Sequence, residues 1–191
     1  MQKLFLNDYA KTVKYPLIRV IGIWLVLIGS VITLATLVGG RFELNPFVFM
    51  GGYGISLYIT ELNPYVKRKY SLKGELNALQ KRMSKYGDIS LFPLMFIMGG
   101  SFIPSGDWRM VWLGTLIATG IHFLLFIPVH GRVMLHLSVM CTIWPITGMF
   151  FKEVPFLFFG VVDGLVKIGF GVYLFLRYDA YLTKRAFVDE G

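Results

Sequence analysis

The feature that most constrains this chain is a series of apolar stretches, closely spaced and long enough to cross a bilayer. They run at about 17–39, 44–61, 88–105, 110–129, 133–150 and 155–177. A helix rises about 1.5 Å per residue, so roughly 20 apolar residues cross a hydrocarbon layer of about 30 Å. The first and last stretches reach that length; the second and third are shorter and are interrupted by Gly or Pro in "FMGGYG" and "LFPLMFIMGGSFIP". With 55% hydrophobic residues and a mean hydropathy of +0.64, the chain falls in the membrane class. The short connections predict a single membrane domain over residues 1–191. The opening "MQKLFLNDYAKTVKYPLIRV" has no clear small-residue cleavage site, so the first stretch is expected to remain as a helix.

The basic residues give an independent reading of topology. With the N-terminus in the cytoplasm and six crossings, fifteen of the 19 Lys and Arg residues fall on the inner side. They are Lys3, Lys11, Lys14 and Arg19; Lys67, Arg68, Lys69, Lys73, Lys81, Arg82 and Lys85; and Arg132, Arg177, Lys184 and Arg185. Only Arg41, Arg109 and Lys152 fall outside, and Lys167 lies within a span. Such a positive-inside bias arises only for an even number of crossings. The expectation is an all-α integral membrane protein: a six-transmembrane-helix bundle, both termini cytoplasmic, multi-pass in a plasma (inner) membrane. The net charge of +8 therefore points to topology and not to nucleic acid.

Between spans two and three, Leu72, Leu76, Leu79, Met83 and Tyr86 recur at helical spacing beside Lys73, Lys81, Arg82 and Lys85. This pattern predicts an amphipathic interfacial helix over about 71–86. It would pack on the bundle, or offer a basic surface to anionic inner-leaflet lipids or to a membrane partner.

Ionisable groups inside a bilayer cost roughly 2.5–3.5 kcal/mol each on insertion scales, so they mark interior or functional positions. Counted from the outer ends of their spans, Asp163 lies about 12 Å deep, and Lys167, His122 and Tyr58 lie near 18 Å. Thr115, Thr119 and His122 share a helix face, as do Gly51, Gly54, Tyr58 and Glu61, and Gly22, Gly29, Thr33 and Thr36. Gly160 and Gly164 form a GxxxG pair suited to close helix packing. Asp163, Lys167, His122, Tyr58 and Thr119 are therefore the candidate ligand- or ion-binding residues. The alternative for the first two is mutual neutralisation at i, i+4, with His122 held by a neighbouring helix.

A second cluster, Glu61, Asp88, His130, His136 and Asp179, lies at the cytoplasmic mouths of different spans. Glu61, His130 and His136 are the candidate metal ligands, but no HxxxH or HExxH pair accompanies them, and interfacial polarity accounts for them. Cys141 is the sole cysteine, which excludes an intramolecular disulfide and a Cys-based zinc site. No P-loop, GxSxG or dinucleotide fingerprint occurs, so no cofactor is expected. Three function classes remain. The first is a transport or solute-binding component with a polar mid-membrane site. The second is an intramembrane lipid-modifying enzyme with a cytoplasmic-side His/carboxylate site. The third is an accessory or immunity protein that binds a membrane partner, or a second copy of itself, through the GxxxG face or the basic helix.

Overall fold

The computed structural model describes residues 15–72 and 74–189, with side chains through Leu176. Lys3, Lys11, Lys14 and Lys73 lie outside the described residues, as do the side chains of Arg177, Asp179, Lys184 and Arg185. Among the described residues the regular structure is helical, without strands. The main helices are α1 (Ile18–Leu37), α2 (Pro46–Leu57), α3 (Pro64–Tyr70), α4 (Ala78–Met98), α5 (Trp108–His122), α6 (Ile127–His130), α7 (Val133–Phe150) and α8 (Phe156–Asp189). Five helical segments are long and apolar enough to cross a membrane: Ile18–Leu37, Ala78–Ser105, Trp108–His130, Val133–Phe150 and Phe156–Leu176. The segment expected as the second span falls short of that criterion, because α2 ends at Leu57 and continues only as a wide turn, Tyr58–Leu62.

Local chemistry explains where α2 and α3 begin. The tetrapeptide "ELNP" occurs at 43–46 and 61–64, and each copy starts a helix. The Asn45 side chain accepts from the amides of Phe47 and Val48, and Asn63 accepts from that of Tyr65. Pro46 and Pro64 each occupy the first helical turn, where the missing N–H costs nothing.

The separate amphipathic helix does not form. Residues 71–72 and 74–77 are non-helical, and α4 runs unbroken from Ala78 to Met98, begun by a reciprocal Asn77–Gln80 capping box. The expected apolar stripe is split: Leu76 and Met83 are half-buried against the core, but Leu79 and Tyr86 are exposed, while Gln80, Gly87 and Leu91 are buried. A helix against lipid can turn its large apolar residues outward and keep small or hydrogen-bonded groups for the protein side, which reverses the rule for soluble helices. The same inversion corrects α2. Gly51 and Gly54 face open space, and the buried side carries Phe49, Ser56 and, in the turn beyond, Thr60.

Two seams organise the bundle. Around the central helix α5, every residue from Val111 to Gly120 is buried. Along the other seam, α1 and α8 run antiparallel with their glycines face to face. A Cβ on Gly29 would sit 2.5 Å from the Gly164 carbonyl oxygen, and one on Gly22 would sit 2.9 Å from that of Gly171. Thr36 fills the space over Gly160. Small residues seven apart on each helix let the backbones touch, which is how helices gain packing energy where lipid supplies no hydrophobic drive.

The two ends of the bundle differ. At one end, the Trp112 indole donates to the Phe42 carbonyl (2.7 Å), and Arg109 donates to the carbonyls of Val154 (2.8 Å), Gly148 (2.9 Å) and Phe151 (3.1 Å). At the other, Leu72 donates to Pro16 (2.9 Å) and the Gln80 amide to Pro128 (3.1 Å). This second end carries Arg19, Lys67, Arg68, Lys69, Lys81, Arg82, Lys85 and Arg132 and is called the basic end below.

Candidate functional site

Asp163 and Lys167 stand one turn apart on α8 and form an ion pair with each other. Each residue is only 1% exposed. The Cys141 thiol of α7 interacts with both, yet Oδ1 of Asp163 is left without a hydrogen bond. The seam with α1 seals the side next to the pair, where Gly164 lies against Gly29 and Thr33. Neither residue lines the cleft at the basic end. The geometry is a sealed ion pair.

The cavity lies instead at the basic end. Tyr53, Glu61, Ser84, Asp88, His122 and His130 contribute the polar lining of a narrow cleft of about 40 Å³, and Trp24, Phe123 and Phe126 add aromatic walls. About one to three waters fit in that volume. Its polar groups come from five elements, with α2 supplying Tyr53, and α1 adds Trp24. The Tyr58–Leu62 turn carries Glu61, α4 carries Ser84 and Asp88, α5 ends at His122, and α6 ends at His130. Glu61 and Asp88 are exposed, whereas His122 and His130 are 4% and 5% exposed, so carboxylates stand at the surface and imidazoles line the depth.

The two imidazoles are held differently. His122 places Nδ1 2.7 Å from the Thr119 carbonyl oxygen. A carbonyl only accepts, so Nδ1 carries the hydrogen and Nε2 is the nitrogen free to take a proton. His130 buries its Nδ1 with no hydrogen-bond partner. Phe126 separates the two rings, stacked on His130 at 5.8 Å and edge-on to His122 at 5.4 Å. The electrostatic reach of Lys167 extends to His122, and the charges of Glu61 and Lys67 act on Asp88. The Lys67 ammonium meets the Glu61 carboxylate at 2.8 Å across the exposed mouth.

The residues expected to share a layer are thus divided. His122 joins Glu61, Asp88 and His130 in the cleft, while Asp163 and Lys167 stay sealed away. Tyr58 joins neither, being 61% exposed where α2 passes into the wide turn. Thr119 is buried, but its hydroxyl donates to its own helix at the Leu116 carbonyl (2.7 Å) and only its backbone carbonyl serves the site. His136 is exposed on the outside of α7, its Nδ1 3.1 Å from the Arg132 carbonyl oxygen. Among the described residues no three His, Cys, Asp or Glu side chains stand close enough to hold a metal ion together. Sequence reasoning passed over Tyr53 and Ser84; their signal was position on the buried face of α2 and α4, which requires the inverted stripe rule.

A family model matches residues 8–181, nearly the whole chain, under the description "Family of unknown function (DUF6609)". The protein belongs to that family. No curated protein and no solved structure matches it. What the DUF6609 architecture contributes is therefore read from its own geometry: a helical membrane protein with one sealed charge pair and one polar cleft at the basic end.

Proposed function

We propose that this protein is a membrane transport component that passes a proton or a small cation through the cleft at its basic end. The observation that carries the reading is the convergence of Glu61, Asp88, His122 and His130 on a cleft of about 40 Å³. That volume admits water or a bare ion and excludes a vitamin-sized solute. Two carboxylates at the mouth attract cations, and the imidazole at the floor has a free Nε2 that can take up and pass on a proton.

The proposed topology has six crossings with both termini on the cytoplasmic side. Its support is that α1 and α8 lie antiparallel, which an odd number of crossings between identical faces would forbid. The second crossing is made by α2 with the Tyr58–Leu62 turn, 46–62 in all, at about 25 Å of rise. The excess of Lys and Arg at the basic end supports a cytoplasmic position for it, with the cleft opening inward in a plasma membrane.

The test is reconstitution of the full chain in liposomes carrying an internal pH-sensitive dye and, separately, an internal sodium-sensitive dye. Under an imposed gradient the wild type is expected to dissipate one of the two ions faster than protein-free liposomes, and Asp88→Asn to abolish the difference. Wild-type liposomes indistinguishable from empty ones for both ions would sink the reading.

A further inference from the structure

On the outside of the bundle, α7 and α8 leave an apolar groove of about 650 Å³ between them. Its walls are one stripe from each helix: Val133, His136 and Met140 on α7, and Val166, Gly169, Phe170 and Tyr173 on α8. The spacings are three and four on one helix and three, one and three on the other, so each stripe is a single helix face two turns long, about 10 Å. Because the helices are antiparallel, Val133 lies level with Tyr173, His136 with Phe170, and Met140 with Val166. Gly169 opens the middle of the groove: a Cβ built there meets nothing within 4 Å. Toward the opposite end the same seam is shut, where the Trp144 indole donates to the Phe159 carbonyl at 3.2 Å and packs on Phe158 and Phe159.

We infer that this groove holds one acyl chain of an anionic phospholipid from the leaflet at the basic end. Neighbouring exposed residues, Val139, Ile143, Leu165 and Val172, are apolar, so the groove faces hydrocarbon and its natural filling is a lipid tail. Charge selects the head group. Arg132 stands at the mouth, next to Val133, with His136 one turn further in, both exposed, and the first turn of α7 carries no acidic residue to compensate its positive dipole end. The His136 ring keeps Nδ1 on the Arg132 carbonyl, which fixes the imidazole edge toward the mouth. A phosphodiester there meets a guanidinium and the start of a helix, while its chain runs along Gly169 toward Met140.

The experiment is native mass spectrometry of the full chain in mild detergent, delipidated and then offered phosphatidylglycerol or phosphatidylcholine. The wild type is expected to retain one phosphatidylglycerol in preference to phosphatidylcholine. Gly169→Phe, whose Cβ would meet nothing within 4 Å, is expected to lose that bound lipid while its thermal unfolding in detergent stays close to the wild type's. Arg132→Gln should keep the binding but lower the preference for phosphatidylglycerol about fivefold. Lipid retention by Gly169→Phe equal to the wild type overturns the proposal. So does a wild type found dimeric in the same spectra while Gly169→Phe is monomeric with lipid binding unchanged, which would assign the groove to a second copy of the chain.

Discussion

The Asp163–Lys167 pair and the His122 cleft are two ways of placing polar groups inside one apolar bundle. In the pair, each charge has its counter-charge one turn away on the same helix, and α1 closes over the adjacent face through Gly29. In the cleft, the polar groups come from five different elements and surround a void; each place holds one unpartnered buried atom, Oδ1 of Asp163 and Nδ1 of His130, but only His130 lines an open space. Self-contained neutralisation lets α8 enter the membrane whatever its neighbours do. Groups that leave hydrogen-bonding capacity unspent around a space are held ready for something that comes and goes. The difference separates a device for stability from a device for function, and the two can be tested on one axis: how much stability a substitution removes for a given loss of transport.

The largest stability loss is expected at the pair. Lys167→Met leaves the Asp163 carboxyl buried without a counter-charge, a change that costs about 3–5 kcal/mol in comparable sites. Replacing both, Asp163→Val with Lys167→Met, should restore stability to within about 1 kcal/mol of the wild type, because an apolar pair needs no desolvation. Thermal unfolding in detergent reads both variants. A double variant that is stable but transports nothing would show that the pair belongs to the conduction path after all.

Gly29→Ala comes next. The new methyl group would press 2.5 Å from the Gly164 carbonyl oxygen and 3.0 Å from the Ile168 amide. Neither is a flexible side chain, so the helices must part, at a cost of about 1–3 kcal/mol. Parting them also loosens the cover beside Asp163. The rate at which a membrane-permeant maleimide labels Cys141, only 1% exposed in the native packing, should therefore rise. Unchanged labelling would mean that another face seals the pair.

These features were unequally legible in the sequence. The charge pair and the glycine seam could be read because i, i+4 and heptad spacings fix which residues share a helix face, and α1 and α8 obey them over their described lengths. Depth counting along the spans put His122 in one layer with Asp163 and Lys167, whereas His122 lines the cleft and the pair does not. Rotation was not legible. The stripe through Gly51, Gly54, Tyr58 and Glu61 assumed a straight α2, but the helix widens at Tyr58–Leu62 and sends Tyr58 outward while Glu61 reaches the cleft. The stripe through Leu79 and Tyr86 assumed that apolar means inward, a rule that holds only where the surroundings are water. The cleft itself depends on five elements meeting, and no spacing within one segment encodes that.

On the same axis, His122→Gln should be mild for stability and severe for transport. A glutamine amide can still donate to the Thr119 carbonyl, so the stability change should stay near 1 kcal/mol. It cannot, however, take up a proton at Nε2, so proton flux into liposomes should drop to the protein-free level. Flux that survives this change would remove His122 from the path and leave the carboxylates alone to carry it.

The smallest effect on stability is expected from Glu61→Gln, and it is also the most discriminating. The Glu61–Lys67 side chains are 42% and 37% exposed, and exposed ion pairs of this kind contribute about 0–1 kcal/mol. Losing the carboxylate leaves the Lys67 ammonium uncompensated at the mouth, where it repels incoming cations. If Glu61 acts only through this field, the flux deficit should shrink as salt rises, since at about 0.15 M the Debye length is only about 8 Å. If Glu61 instead passes the proton itself, the deficit should be the same at every ionic strength. Flux measured for the variant and the wild type from low to high salt therefore tells whether the mobile part of the site begins at Glu61 or one step deeper, at Asp88.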